Sequence, residues 1–146
     1  MAKKNKKETN EIIIYSNETC PYCKQVKEKL VEKEIKFEDR ATIDFQKEWG
    51  NIIGLTGMSQ IPTILYKNSY FIPGRDFQNV EHLLDIIDKY QGENPDQPSD
   101  KYVLERVKTL NYNTYTAFAK LEQTLQNIEL KLDKLNTEEN EHKSTD

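Results

Sequence analysis

The chain has 146 residues, with 21 basic and 25 acidic side chains and a net charge of −4. That length holds one ordinary domain, or a small domain and an extension, and the charge balance excludes the basic stripe of a nucleic-acid binder. A hydrophobic content of 36% beside 32% charged residues is low for a single globule, so part of the chain is expected to be solvated.

Residues 1–10 carry Lys3, Lys4, Lys6 and Lys7 without an apolar run, and read as a disordered basic tail. A secretory signal needs an apolar core behind its basic start. Here the nearby apolar run is only Ile12-Ile13-Ile14. No stretch approaches the roughly 20 apolar residues of a membrane span. The expectation is a soluble chain in a reducing, cytoplasmic compartment, without a membrane partner.

Residues 11–91 read as one α/β domain. Ile12 to Tyr15 is a β-branched run, the pattern of a buried strand. Pro21 to Lys33 places Cys23, Val26, Leu30 and Val31 at helical spacing. Ile35 to Glu38 predicts a short second strand. Phe45, Trp49, Ile52 and Ile53 mark a second helix, with Gly54 and Gly57 punctuating its end. Pro62 to Tyr66 and Tyr70 to Ile72 predict a strand pair turning over Lys67-Asn68-Ser69. Val80, Leu83, Leu84 and Ile87 mark a third helix. The early strand–helix alternation predicts parallel pairing and the late strand pair a hairpin, giving a four-stranded mixed sheet covered by helices.

Residues 92–100 form a polar linker rich in proline. Beyond it the period changes. Val103, Val107, Leu110, Thr114, Ala117 and Leu121 step by fours and threes, and so do Leu121, Leu125, Ile128, Leu132 and Leu135. Two successive fours meeting at Leu121 are a stutter between two heptad seams. The pattern predicts an amphipathic, coiled-coil-like helix over residues 101–136, followed by a disordered tail over 137–146. Such a helix would run roughly 54 Å at 1.5 Å per residue. Its apolar face needs cover, from another copy, from a protein partner, or by folding back on the first domain.

Both cysteines of the chain, Cys20 and Cys23, stand at the predicted start of the first helix. Pro21 suits the first helical position, which makes Cys20 the N-cap and Cys23 the third helical residue. A sulfur at the N-cap faces a backbone N–H and the positive end of the helix dipole, and both favour thiolate. Comparable sites lower a cysteine pKa from about 8.5 into the range of roughly 3.5–7.5. Cys20 is therefore the candidate nucleophile. Cys23, on the apolar face with Val26 and Leu30, is the candidate resolving thiol.

A zinc site needs four ligands, whereas this pair supplies two, His82 and His142 lie apart in sequence, and there is no second CxxC. No metal is expected within one chain, although a site shared by two chains stays open. A disulfide closing so short a loop would constrain little of the unfolded chain. CxxC beside a βαβ pattern is the redox arrangement.

Cys20-Pro21-Tyr22-Cys23 after a strand, Ile61-Pro62-Thr63 before a later strand and Pro73-Gly74-Arg75-Asp76 after the hairpin resemble the dithiol glutaredoxin family, over about residues 11–91. The resemblance implies a thioredoxin-like fold and a glutathione-dependent thiol–disulfide oxidoreductase, acting on disulfide-containing or glutathionylated proteins. It implies Cys20 as nucleophile and Cys23 as resolving cysteine. Tyr22 would flank the glutathione, with plain surface exposure as the other reading. Pro62 would be the cis-proline facing the cysteines, and Ile61 would offer its backbone to the glutathione cysteinyl unit. Gly74, Arg75 and Asp76 would hold the γ-glutamyl end, with capping of the third helix as the other role for Asp76. Asn17 stands where many dithiol members carry a lysine for the glycyl carboxylate. That departure, with Ile61-Pro62-Thr63, admits a second expectation: a redoxin reduced by a thioredoxin reductase and serving one dedicated target, such as ribonucleotide reductase. A third is a redox module tethered to an assembly by its C-terminal helix.

Overall fold

The computed structural model describes residues 11–93 and 100–145. The expected tail over 1–10 and most of the expected linker lie outside the described residues. The elements run β1 (Ile12–Ser16), α1 (Pro21–Glu32), β2 (Phe37–Ala41), α2 (Gln46–Thr56), β3 (Thr63–Tyr66), β4 (Ser69–Phe71), α3 (Val80–Lys89) and α4 (Lys101–Ser144).

The four strands form one sheet in the order β2-β1-β3-β4. β1 pairs parallel with β2, from Ile12↔Phe37 to Ser16↔Ala41. It pairs antiparallel with β3, Tyr15 opposite Thr63. β3 and β4 form the hairpin, Tyr66 opposite Ser69. Its two-residue turn, Lys67-Asn68, takes left-handed φ values of 45° and 62°, the geometry that matches strand twist. Lysine is a poor choice for such backbone. The Lys67 ammonium offsets the cost by donating to the Tyr90 carbonyl at 2.6 Å.

β2 begins at Phe37, two residues later than the expected start at Ile35. Glu34 takes a left-handed φ of 56°, and the Ile35 N–H closes the end of α1 on the Leu30 carbonyl at 2.9 Å. Ile35 is thus spent on the helix exit, and it packs against the core from there.

Alternation along β1 sends Ile12 and Ile14 to one face and Ile13 and Tyr15 to the other. The first face holds the main core, where Ile12, Ile14, Ile64, Tyr66 and Phe71 meet Val26 and Leu30 of α1 and Val80 and Leu83 of α3. On the second face Tyr15 stacks on Trp49 of α2 with ring centroids 6.0 Å apart. Gly57, with φ 73°, ends α2 as a left-handed cap, as its place in the sequence suggests, whereas Gly54 lies inside the helix.

The chain divides into two compact units, Met1–Thr109 and Leu110–Asp146. The first nine residues of α4 therefore belong with the α/β unit. Asp100 caps α4 through its Oδ1, which accepts the N–H groups of Tyr102 and Val103 at 3.0 and 3.3 Å. The helix docks on the second face by its polar stripe. The Lys101 ammonium lies 4.9 Å from the Tyr70 ring centroid, Arg106 donates to the Gly54 carbonyl at 2.7 Å, and Glu105 and Thr109 are buried. Val103 and Val107, on the apolar seam, are exposed. In the second unit Leu110, Leu121, Leu125, Ile128, Leu132 and Leu135 are all exposed. The helix continues to Ser144 rather than stopping at Asn136, and its last turns replace the expected disordered tail. The seam ends at Leu135, but no Gly or Pro follows it, and glutamates and lysine sustain helix without an apolar face.

Candidate active site

Three motifs, Cys20-Pro21-Tyr22-Cys23, Ile61-Pro62-Thr63 and Pro73-Gly74-Arg75-Asp76, lie at one end of the sheet. Tyr15↔Thr63 pairing puts Pro62 opposite Ser16, at the end of β1. Phe71↔Ile64 pairing puts Pro73 alongside Pro62. The Ser16–Cys20 loop and the Gly74-Arg75-Asp76 segment therefore leave the sheet at the same end. α1 and α3 both begin there.

Cys20 is the N-cap of α1, with φ −88° and ψ 109°, and Pro21 opens the helix. The Cys23 N–H donates to the Cys20 sulfur at 3.1 Å. The loop before it is closed by Asn17, whose Oδ1 accepts both the Thr19 N–H and the Thr19 hydroxyl at 2.9 Å. The Cys20 N–H donates in turn to the Asn17 carbonyl at 3.2 Å. Asn17, the departure from the usual lysine, thus builds the turn that presents Cys20. The two cysteines form a disulfide. Cys20 is half-buried, whereas Cys23 is fully buried beside Val26 and Leu30, so a partner meets Cys20 first.

Sequence reasoning missed a cluster behind this loop. The Ser16 hydroxyl donates to Asp39 Oδ1 at 2.5 Å, and the Lys27 ammonium donates to Asp39 Oδ2 at 2.8 Å. It ties α1, one turn beyond Cys23, to the end of β1 and the middle of β2. A lysine four residues after Cys23 was the available signal.

Tyr22 is half-buried rather than surface-exposed, its ring 6.5 Å from that of Phe77. Burial, and then the charge of Glu81, push its hydroxyl pKa upward. Its Oη is buried with no partner among the described residues. The Ile61–Pro62 peptide is cis, with Ile61 half-buried and Pro62 buried. Asp76 does not cap α3. Asn79 does, its Oδ1 accepting the His82 N–H at 2.9 Å. Asp76 Oδ2 instead accepts the Ile72 N–H at 2.8 Å and the Arg75 Nε–H at 2.8 Å, while its own N–H donates to the Ile72 carbonyl at 2.8 Å. These bonds fix the curl of Gly74-Arg75-Asp76. The Arg75 side chain points inward, 1% exposed, leaving the backbone of this segment as its outer surface.

Among the described residues no group of three or more His, Cys, Asp or Glu is placed to hold a metal ion. No described helix is long and apolar enough to cross a membrane.

A β2-β1-β3-β4 mixed sheet with a CxxC disulfide opening its first helix defines the thioredoxin-like class. The glutaredoxin family model matches residues 12–71. A glutaredoxin-like 8.6 kDa protein encoded in the rubredoxin operon of Clostridium pasteurianum is 43% identical over 53 residues, which is 36% of this chain and 71% of that protein. The crystal structure of a glutaredoxin from Archaeoglobus fulgidus covers 54% of this chain and 87% of its own, with a TM-score of 0.45 and 21% identity. The chain belongs to the glutaredoxin family. Membership and the Cys20–Cys23 disulfide together point to thiol–disulfide oxidoreductase chemistry.

Proposed function

We propose that the chain is a glutathione-dependent, cytoplasmic oxidoreductase that reduces protein disulfides and glutathionylated thiols. The observation that carries this reading is the Cys20 sulfur itself. It is half-buried, caps α1, receives the Cys23 N–H and is bonded to a buried second sulfur. Cys20 thiolate attacks a substrate disulfide, forming one S–S bond as the substrate's own breaks and expelling a thiolate. Cys23 thiolate then attacks the Cys20 sulfur, releasing the second substrate thiol and closing the Cys20–Cys23 disulfide. One glutathione thiolate reopens it as a Cys20–glutathione mixed disulfide, and a second leaves with the first as oxidised glutathione. With a glutathionylated substrate, Cys20 takes the glutathionyl group and glutathione alone completes the cycle. Family potentials of roughly −200 to −230 mV lie close enough to the glutathione poise for this donor to suffice.

In this reading Ile61 and Pro62 line the cysteinyl position, Tyr22 flanks it with its unpartnered hydroxyl, and Gly74, Arg75 and Asp76 receive the γ-glutamyl end. Two helix N-termini at this end of the sheet suit an anionic peptide. The test is glutathione-coupled reduction of a small mixed disulfide. Wild type and Cys23→Ser should turn over and Cys20→Ser should not. Activity in Cys20→Ser would sink the assignment. No turnover by folded wild type, together with reduction by a flavoenzyme reductase, would favour the reductase-driven alternative that Asn17 and Ile61-Pro62-Thr63 motivate.

A second reading concerns Leu110–Asp146, whose seam is exposed from Leu110 to Leu135. It is proposed to associate with a second copy or a protein partner as a coiled coil, addressing the redox domain to an assembly. Sedimentation of the full chain that stays monomeric across concentrations, and that Ile128→Asp leaves unchanged, would remove self-association.

A further inference from the structure

We infer that Glu105, on the first turns of α4, is a positioning residue for the γ-glutamyl subsite. Through the buried Arg75 it sets how much of the negative charge of Asp76 is left for a ligand's α-ammonium. The inference rests on the glutathione reading above.

The Arg75 guanidinium is held between two carboxylates. Its Nη2 lies 2.8 Å from Asp76 Oδ2 on one side and 2.7 Å from Glu105 Oε2 on the other. The side chains of both Arg75 and Glu105 are 1% exposed. Arg75 is further fixed by the Tyr70 carbonyl at 3.1 Å and the Thr109 hydroxyl at 3.3 Å. Glu105 Oε2 makes no aligned hydrogen bond, so its attraction for the guanidinium is charge against charge. Its Oε1 meets the Lys108 ammonium at 3.2 Å, nearer to solvent.

Two carboxylates and one guanidinium leave the trio one negative charge in excess. An arginine buried with Asp76 alone would consume that carboxylate's charge in a neutral pair. With Glu105 present, Arg75 is satisfied from behind, and Asp76 keeps a net attraction for a cation. The bonds Asp76 makes within the protein fall on Oδ2. The γ-glutamyl end of glutathione carries an ammonium beside its carboxylate, which is the chemistry such a site distinguishes. The lysine on Glu105 is partly solvated and screened, so it cancels less of this charge than a buried one would.

The experiment compares the full-length wild type with Glu105→Gln and Glu105→Asp, using glutathione and glutaryl-cysteinyl-glycine, the same tripeptide without the α-amine. Wild type should prefer glutathione through KM. Glu105→Gln should raise KM for glutathione about fivefold at unchanged kcat, and leave KM for the des-amino thiol unchanged. Glu105→Asp, which keeps the charge, should retain most of the preference, and it reads the same ratio if the glutamine variant does not fold. Equal changes for both thiols, or no change in a folded variant, would overturn the inference. A wild type that uses both thiols equally would overturn it while leaving glutathione dependence standing. A wild type inactive with glutathione would sink the functional reading and this inference together.

Discussion

The Thr109 hydroxyl donates to the backbone carbonyl of Thr56 across 2.6 Å, joining residues 53 positions apart in a buried bond. That carbonyl is one of the last of α2 and has no partner within its own helix. Thr109→Val keeps the shape of the side chain and removes the donor, leaving a buried acceptor unsatisfied. The expected cost is about 1–3 kcal/mol in urea unfolding. An unchanged midpoint would show that water replaces the bond and that the other contacts of α4 suffice to hold it.

Polar docking of α4 also predicts where the chain can be shortened. A version ending at Tyr112 keeps Lys101, Glu105, Arg106 and Thr109, and should unfold close to the full chain. A version ending at Gln91 loses Glu105 and Thr109 from around Arg75, which keeps Asp76 as its ion-pair partner. It also leaves the Thr56 carbonyl without its donor, so it should unfold at a lower midpoint. Equal unfolding midpoints for the two versions would contradict the assignment of Lys101–Thr109 to the redox domain.

Tyr15 sets an alkaline limit. Burial first, and then its hydrogen bond to Glu48, push its pKa from 10.0 up to about 12. The folded state then holds the phenolic proton where the unfolded state has lost it. The contribution is complete below pH 10 and declines as pH rises toward 12. Denaturant unfolding at successive pH values should show stability falling across that window. Tyr15→Phe should fall less steeply, and identical slopes would remove Tyr15 as the cause.

Asn17 faces two demands. As asparagine it closes the turn before Cys20 through Thr19, while a lysine there would offer charge to a glycyl carboxylate. Asn17→Lys should lower KM for glutathione several-fold and cost roughly 1 kcal/mol of stability from the lost side-chain bonds. A variant that gains stability, or that binds glutathione more weakly, would contradict this trade.

The parts of the fold set by apolar periodicity and by single special residues were legible in the sequence. Ile12 to Tyr15, the helix opened by Pro21, the hairpin and the third helix at Val80 all follow from local pattern, although Ser69, read as part of the turn, opens β4. Cys20 as N-cap and Cys23 as a buried residue follow from Pro21 and from the spacing to Val26. What escaped was polar and long-range. Nothing local reveals that Arg75 turns inward, because its partner lies thirty residues on in another element. The seam drew attention to the apolar side of α4, whereas the domain is bound by the other side, through Lys101, Glu105 and Thr109 at four-residue steps. The role of Asp76 was open between capping and binding. Asn79, a better-placed cap, resolves the first half of that question.

The cap on α1 couples folding to electron transfer. The atom that accepts the Cys23 N–H is also the atom that changes oxidation state, so the two equilibria form a closed thermodynamic cycle. Any gain in stability of the dithiol form over the disulfide form must appear, undiminished, as a more oxidising potential than the unfolded chain's. About 1.4 kcal/mol corresponds to roughly 30 mV for this two-electron couple. Unfolding curves of the oxidised and reduced protein therefore measure, without any substrate, how far the fold around these two sulfurs sets the direction in which electrons flow.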